Sequence, residues 1–203
     1  MRNCQEPNSL VPNMNLMGRV IMAFMPITPK ALVRFFSRRY VAGTDLHHAI
    51  KVMKDMANEN TSFTVDVLGE DITSIEESKR FVTEYQDLIK GISTSNIDAH
   101  ISLKPTAFGM DIDYDHALST VSELAKLASD FDIFVRLDME DSDHTESTLR
   151  MTEDLHKLGH RNTGVVLQGR LFRTLDDLER LSASLGPDAD VRICKGIYLE
   201  HPD

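Results

Sequence analysis

The chain has 203 residues, 41% apolar and 27% charged, with a net charge of −10. That length and composition suit one soluble globular domain with a sizeable core. The acidic balance argues against non-specific nucleic-acid binding, which needs clustered Lys and Arg against phosphate. Cys4 and Cys194 lie far apart, so neither a disulfide framework nor a metal site is expected and a reducing, cytoplasmic compartment is the default.

Residues 1–14 are polar, contain Pro7 and Pro12, and read as disordered. The apolar stretch Val20–Pro26 is far shorter than the ~20 residues of a membrane span, and Pro26 and Pro29 interrupt it. It also comes too late for a secretory leader. Thr28 can cap a helix opened by Pro29. That helix sets Lys30, Arg34, Arg38 and Arg39 beside Leu32, Val33, Phe35 and Phe36. A basic amphipathic helix of this kind either packs over the end of a domain or lies on an anionic membrane, here the inner face. The organisation expected is a disordered start and helical arm over 1–43 and one domain over 44–203.

Leu46, Ala49, Ile50 and Met53 recur at helical spacing behind the capping pair Thr44–Asp45. Five runs then place apolar residues at alternate positions: Phe63–Glu70, Ala99–Lys104, Ile133–Glu140, Gly164–Gly169 and Asp190–Gly196. Helices are expected between them. One runs from Ser74 to Lys90 and stops at Gly91, with Phe81, Val82, Tyr85, Leu88 and Ile89 on one face. Another is opened by Asp113 and carries Leu118, Val121, Leu124 and Ala128. The next is opened by Ser142 or Asp143, carries Leu149, Leu155 and Leu158, and ends at Gly159. In the last, Thr174 and Asp177 resemble a capping box and Gly186 is the stop.

Strand starts roughly 25 to 35 residues apart give the rhythm of βαβ units and a parallel sheet. No Gly-rich phosphate loop follows any strand, which favours a (β/α) barrel over the doubly wound nucleotide folds. Alternation then sends Val65, Val67, Ile101, Leu103, Val135, Leu137, Val191 and Ile193 to the helices. The lumen receives Thr64, Asp66, His100, Ser102, Lys104, Arg136, Asp138, Gln168, Arg192 and Cys194. Barrel interiors are usually layered with Val, Ile and Leu. Charges of both signs in that space must pair or bind something polar, because an unpaired buried charge costs several kcal/mol. Two readings follow: a polar ligand at the carboxyl ends of the strands, or a structural network such as Asp138 with Arg136 or Lys104.

The acidic run Glu140, Asp141, Asp143 and Glu146 could take a divalent metal, but carboxylates also gather at helix starts for the dipole alone. No metal site is assigned. The histidines at 47, 48, 144, 156, 160 and 201 lack metal spacing and are expected to be mostly solvated. Arg170 and Arg173 follow the fourth strand and could hold a phosphate, or neither does.

Six ordered segments carry a resemblance. They are RRYVAG at 38–43, DVLGE at 66–70, ISLK at 101–104, RLDMED at 136–141, VVLQGRLFRT at 165–174 and VRICKGIYLE at 191–200. Together they resemble the FAD-dependent proline dehydrogenase family, which includes a domain of the bifunctional proline-utilisation enzymes. The resemblance implies a distorted (β/α)8 barrel holding flavin at the strand carboxyl ends. It implies oxidation of L-proline to Δ1-pyrroline-5-carboxylate, on the way to glutamate, with electrons passed to a membrane quinone. It further implies that Lys104 holds the substrate carboxylate and that Asp138 orders the pocket through an arginine. Tyr198 would border the substrate, Gln168 would hydrogen-bond the flavin ring, Arg192 would sit near its reactive edge, and Lys195 and Gly196 would touch the cofactor. Ile197 stands where the family often has a small residue, and Arg170 where it often has an aromatic one, so the pocket is expected to differ in shape.

A full barrel takes about 250 residues. The five runs here therefore correspond to an incomplete (β/α)8 TIM-type barrel, about five of eight units, without the final helix whose paired arginines clamp the substrate in the family. Open edges at the first and fifth strands would favour self-association. The alternatives are a catalytically incompetent fragment of such an enzyme, or a different strand-end barrel enzyme using Asp138, Glu140 and a divalent metal.

Overall fold

In a computed structural model of the chain, residues 45–69 and 72–197 are described. The arm over 1–43, including the helix expected from Thr28, lies outside these residues, as does Tyr198.

Asp45 caps the first helix of the described residues, α1 (Leu46–Ala57), accepting a hydrogen bond from the His48 backbone N–H at 3.0 Å. Strand β1 (Phe63–Val65) and helix α2 (Ile75–Ser95) follow. Helix α2 does not stop at Gly91. Gly91 faces Leu46 and Ile50 of α1, and the apolar stripe continues to the buried Ile92. The helix ends instead at Asn96, left-handed at φ 50°, whose N–H closes back on the Ile92 and Ser93 carbonyls.

Strand β2 (Ala99–Leu103) leads through a 3-10 turn, Pro105–Phe108, to helix α3 (Tyr114–Ser129), capped as expected by Asp113. Strand β3 (Val135–Leu137) leads to helix α4 (Thr145–Lys157). The cap in front of α4 is Asp141 rather than Ser142 or Asp143. Its carboxylate accepts from the backbone N–H groups of Asp143 and His144 and starts a 3-10 turn, Ser142–His144.

Strand β4 (Thr163–Gln168), helix α5 (Thr174–Leu185) and strand β5 (Val191–Cys194) complete the described fold. The capping box expected at Thr174 and Asp177 is absent. Thr174 Oγ1 donates back to the Gln168 carbonyl at 2.5 Å, and Asp177 instead accepts from the Arg173 guanidinium at 2.8 and 2.9 Å. Arg173 therefore occupies the cap position.

The five strands form one parallel sheet in the order β1-β2-β3-β4-β5, curled as in a half-barrel. Every strand pairs with its neighbour in sequence. The register aligns Val65 with Ile101 and Ile101 with Val135; Leu103, Leu137, Val165 and Val191 form the next such row. These residues face the helices, and Ile101, Leu103, Val135, Leu137 and Val165 are completely buried. The alternate rows, such as Ser102–Arg136–Gly164 and Val166–Arg192, face the lumen. Ile193 lies on the helix side as expected but is 56% exposed.

Four of the five strands are shorter than their alternating runs, β4 keeping its six residues, and side chains fix the strand ends. Past Val65, the Val67 N–H turns away from β2 and donates to the Tyr85 hydroxyl at 3.2 Å. At the amino end of β4, the Asn162 side-chain amide donates to the Ala125 and Ile133 carbonyls at 2.9 and 3.1 Å. There, too, His156 Nε2 bonds the Thr163 carbonyl at 2.8 Å. These ties lock α3, α4 and the strand starts together. An open cleft of about 680 Å³ lies at this amino end, lined by Asn96, Asp98, His100, Asp132, Phe134 and Asn162 among others. It contains none of the residues expected to do chemistry.

Candidate active site

The opposite, carboxyl end of the sheet gathers most of the expected site residues. Lys104 follows β2 directly in extended conformation (φ −101°, ψ 120°), half-buried, with its carbonyl accepting from Ala107 N at 3.0 Å. Asp138 follows β3 directly, and its N–H still donates to the Leu103 carbonyl at 2.8 Å. Gln168 closes β4 and Arg192 lies within β5. Gly196, in the turn after β5, is left-handed at φ +80°. Lys195 beside it is exposed.

Asp138 pairs with Arg192, Oδ1 to Nη2 at 2.7 Å. The arginine implied as the partner of Asp138 is thus Arg192, two strands away, and not the neighbouring Arg136. Arg136 turns instead to Asp190, Nη2 to Oδ1 at 2.7 Å, and stacks on the Phe134 ring at 4.8 Å. Both pairs span 54 residues and reach from β3 to the segment of β5 across β4. What permits the lower crossing is Gly164, the lumen-facing β4 residue beside Arg136. A Cβ there would lie 2.5 Å from the Asp190 carbonyl oxygen and 2.9 Å from Phe134 Cζ. Gly164 escapes a search for charged groups; its only signal is a glycine inside a strand pattern, which marks close approach.

Gln168 is buried, with Nε2 donating to the Glu140 carbonyl at 2.8 Å. Its Oε1 is buried without a hydrogen-bond partner, and so is Arg192 Nε. Gly196 packs against this amide: a Cβ on Gly196 would fall 2.1 Å from Gln168 Oε1 and 2.7 Å from its Cβ.

Tyr85 is a second residue that periodicity placed only in an apolar stripe. Its hydroxyl donates to the Ser102 carbonyl at 2.6 Å while accepting from Val67 N, tying the end of β1 to β2. Burial, and the nearby Asp66 and Asp138 carboxylates, push the phenol well above its ordinary range, so it stays a neutral donor. Tyr85→Phe strands a buried carbonyl and an N–H. The expected cost is about 1–3 kcal/mol, read from the shift in urea midpoint at unchanged slope.

The acidic run has other duties than metal binding. Glu140 accepts from Thr106 N at 3.1 Å and from the Thr106 hydroxyl. Asp141 caps the turn before α4. Glu146 bonds Arg173 and Arg180, which hold its carboxyl below the ordinary range. Among the described residues no group of three His, Cys, Asp or Glu side chains is placed to hold a metal ion.

Several histidines are less solvated than expected, because each finds a partner near a strand or helix end. His156 is buried on the Thr163 carbonyl, and His160 meets Ser122 Oγ at 2.6 Å. His144 bridges Asp141 at 2.5 Å and Asp111 at 2.7 Å, joining the loops that follow β2 and β3. Burial opposes protonation of His144, but the hydrogen bonds and charges of Asp111 and Asp141 outweigh it and raise its pKa above 6.5. A pKa raised on folding stabilises fully below the unfolded value and loses that contribution as pH climbs through the folded value. His144→Gln should therefore destabilise more at about pH 6 than at about pH 9. Urea unfolding of both proteins at the two pH values checks this, and an equal gap at both would sink it.

Comparison with known proteins places the chain in a family. Residues 49–202 match the family model described as proline dehydrogenase. The chain is 32% identical to proline dehydrogenase 1 of Bacillus subtilis subsp. natto over 167 residues, 82% of this chain and 54% of that protein. It is 30% identical to proline dehydrogenase of Deinococcus radiodurans over 168 residues, 81% of this chain and 53% of that one. The chain thus spans about half the length of the curated relatives it matches. In fold, it superposes on proline utilization A (PutA) from Bdellovibrio bacteriovorus inactivated by N-propargylglycine, with a TM-score of 0.76 at 21% identity. That match covers 91% of this chain and 23% of the other. The polar strand ends and the matching residues lead to one assignment: the chain belongs to the proline dehydrogenase family.

Proposed function

We propose that this chain supplies the flavin-facing half of a site that oxidises L-proline to Δ1-pyrroline-5-carboxylate, with electrons passed on to a quinone. The observation that carries the reading is the pair of buried, unpartnered polar atoms at the carboxyl end of the sheet, Gln168 Oε1 and Arg192 Nε. One is an acceptor and the other a donor, and they lie on adjacent strands. An isoalloxazine ring carries both N–H and carbonyl groups along one edge, so this donor set fits FAD. Gly196, with no side chain, keeps the turn beside Gln168 open to close approach.

Bound FAD would supply the two-electron acceptor for the substrate C–H bond. The remaining roles belong to the protein. Lys104 would hold the substrate carboxylate and so fix which C–H faces the ring. Arg192, kept in place by Asp138, would offer positive charge where negative charge grows during reduction. Tyr198 would border the substrate, and Lys195 would meet the cofactor from outside the lumen. Among the described residues no helix is long and apolar enough to cross a membrane. The basic arm from Lys30 to Arg39 would reach a quinone by lying on an anionic membrane surface.

The test is the visible spectrum of the purified chain after incubation with FAD and removal of the excess. Retained flavin bands that bleach on anaerobic addition of L-proline support the reading. A colourless protein, or a flavin indifferent to L-proline, overturns it for this chain.

A further inference from the structure

The ends of four strands are joined by a short relay that passes through one residue given no part in ligand binding above. Glu140 is buried, one residue beyond Met139 in the segment after β3. Its carboxylate faces back toward β2, where it accepts from the backbone N–H of Thr106 at 3.1 Å and from the Thr106 hydroxyl. Thr106 is itself buried and sits in the turn that begins directly after Lys104. The Glu140 backbone carbonyl faces forward toward β4, where it accepts from Gln168 Nε2 at 2.8 Å, with the Met139 carbonyl nearby at 3.4 Å. With Nε2 committed, Gln168 Oε1 is left without a partner beside Gly196 in the turn after β5.

We infer that Glu140 is a positioning residue that sets the Lys104 turn and the Gln168 amide relative to one another, and so fixes the distance between the substrate-carboxylate group and the ring-binding group. The last clause rests on the flavin and proline reading above; the mechanical coupling does not. Taking a carboxylate into a buried site is expensive, and an apolar residue could fill the same space. A carboxylate offers what an apolar side chain cannot: two acceptors in one rigid plane, here matched to a backbone donor and a hydroxyl on the same residue. Its backbone cannot move without carrying the Gln168 amide with it, since Nε2 bonds its carbonyl. Loss of the carboxylate therefore frees the Lys104 turn and, through the Glu140 backbone, the Gln168 side chain.

The experiment is NMR hydrogen exchange on the full chain, reading the Thr106 backbone amide and the Gln168 side-chain amide protons. Glu140→Ala should speed exchange at both by tenfold or more, whereas Glu140→Gln, which keeps an acceptor for Thr106 N, should stay within threefold of the parent. Thr106→Val removes only the hydroxyl and should speed the Gln168 protons severalfold; it decides the matter if Glu140→Ala does not fold. Faster exchange at Thr106 with Gln168 unchanged in every variant overturns the inference. A parallel FAD titration separates the two claims. A parent that takes no FAD counts against the flavin reading and leaves the exchange data to decide on Glu140. A parent that binds FAD should lose tenfold or more of its affinity in Glu140→Ala and little in Glu140→Gln.

Discussion

Gly164→Ala should cost about 3 kcal/mol of stability, the upper end of what overpacking a well-filled interior does. The added methyl would sit 2.5 Å from a backbone oxygen, that of Asp190, and 2.9 Å from the Phe134 ring. A flexible side chain can swing away from such contact, but the Asp190 carbonyl cannot. It is held in the ladder by Val165 N at 3.1 Å. Relief therefore requires β5 to move off β4, which stretches the Arg136–Asp190 pair as well. Urea unfolding measures the loss. A variant within about 0.5 kcal/mol of the parent would mean that β4 and β5 are not in this register.

Gly196→Ala should act on the ligand site. At φ +80° an L-residue pays roughly 1–2 kcal/mol for the left-handed conformation alone. Its Cβ would also lie 2.7 Å from the Gln168 Cβ, an atom fixed to the strand rather than the far end of a side chain. The Gln168 amide must then rotate or the turn must open, and either change misdirects Oε1. The expected outcome is a loss of FAD affinity of tenfold or more, about 1.4 kcal/mol, together with a lower urea midpoint. Unchanged affinity in a folded variant would remove Gln168 from the flavin contacts.

Those two glycines show where the chain was legible and where it was not. Alternation in the strands assigned faces well. Ile101, Leu103, Val135 and Leu137 are buried against helices, while Ser102, Arg136, Gln168 and Arg192 lie on the lumen rows. That pattern is local, so a one-dimensional reading captures it. The pairing of the lumen charges is not local. Arg136 and Asp138 each select a partner 54 residues away because the parallel register, and a glycine on β4, bring those groups within reach. Nothing in the neighbourhood of Asp138 in sequence announces Arg192 over Arg136.

Helix ends failed for a related reason. Gly91 reads as a stop, yet α2 continues because α1 packs on the glycine and Ile92 adds buried surface. Tertiary packing there outweighs the roughly 1 kcal/mol that glycine costs in a helix interior. Thr174 and Asp177 have the spacing of a capping box, but the Arg173 guanidinium beside them is the stronger partner for the carboxylate. The histidines were misjudged in the same way, since a loop residue such as His144 acquires its neighbours only when two strand ends meet; the acidic run does gather at a helix start, with Asp141 as the cap and Glu146 in the first turn.

The strand order has a consequence for how this molecule withstands damage. Among the described residues the backbone of each strand pairs only with the strands before and after it in the chain, so this part of the sheet is built from adjoining units. In such an array the free energy is nearly a sum over neighbours, and a lesion in one unit is felt most strongly by the next. Short-range pairing of this kind also lets structure grow outward from any well-packed unit, without a long loop having to close first. A disturbance at the β4–β5 boundary would then leave β1 to β3 largely able to assemble, and errors would be confined rather than shared.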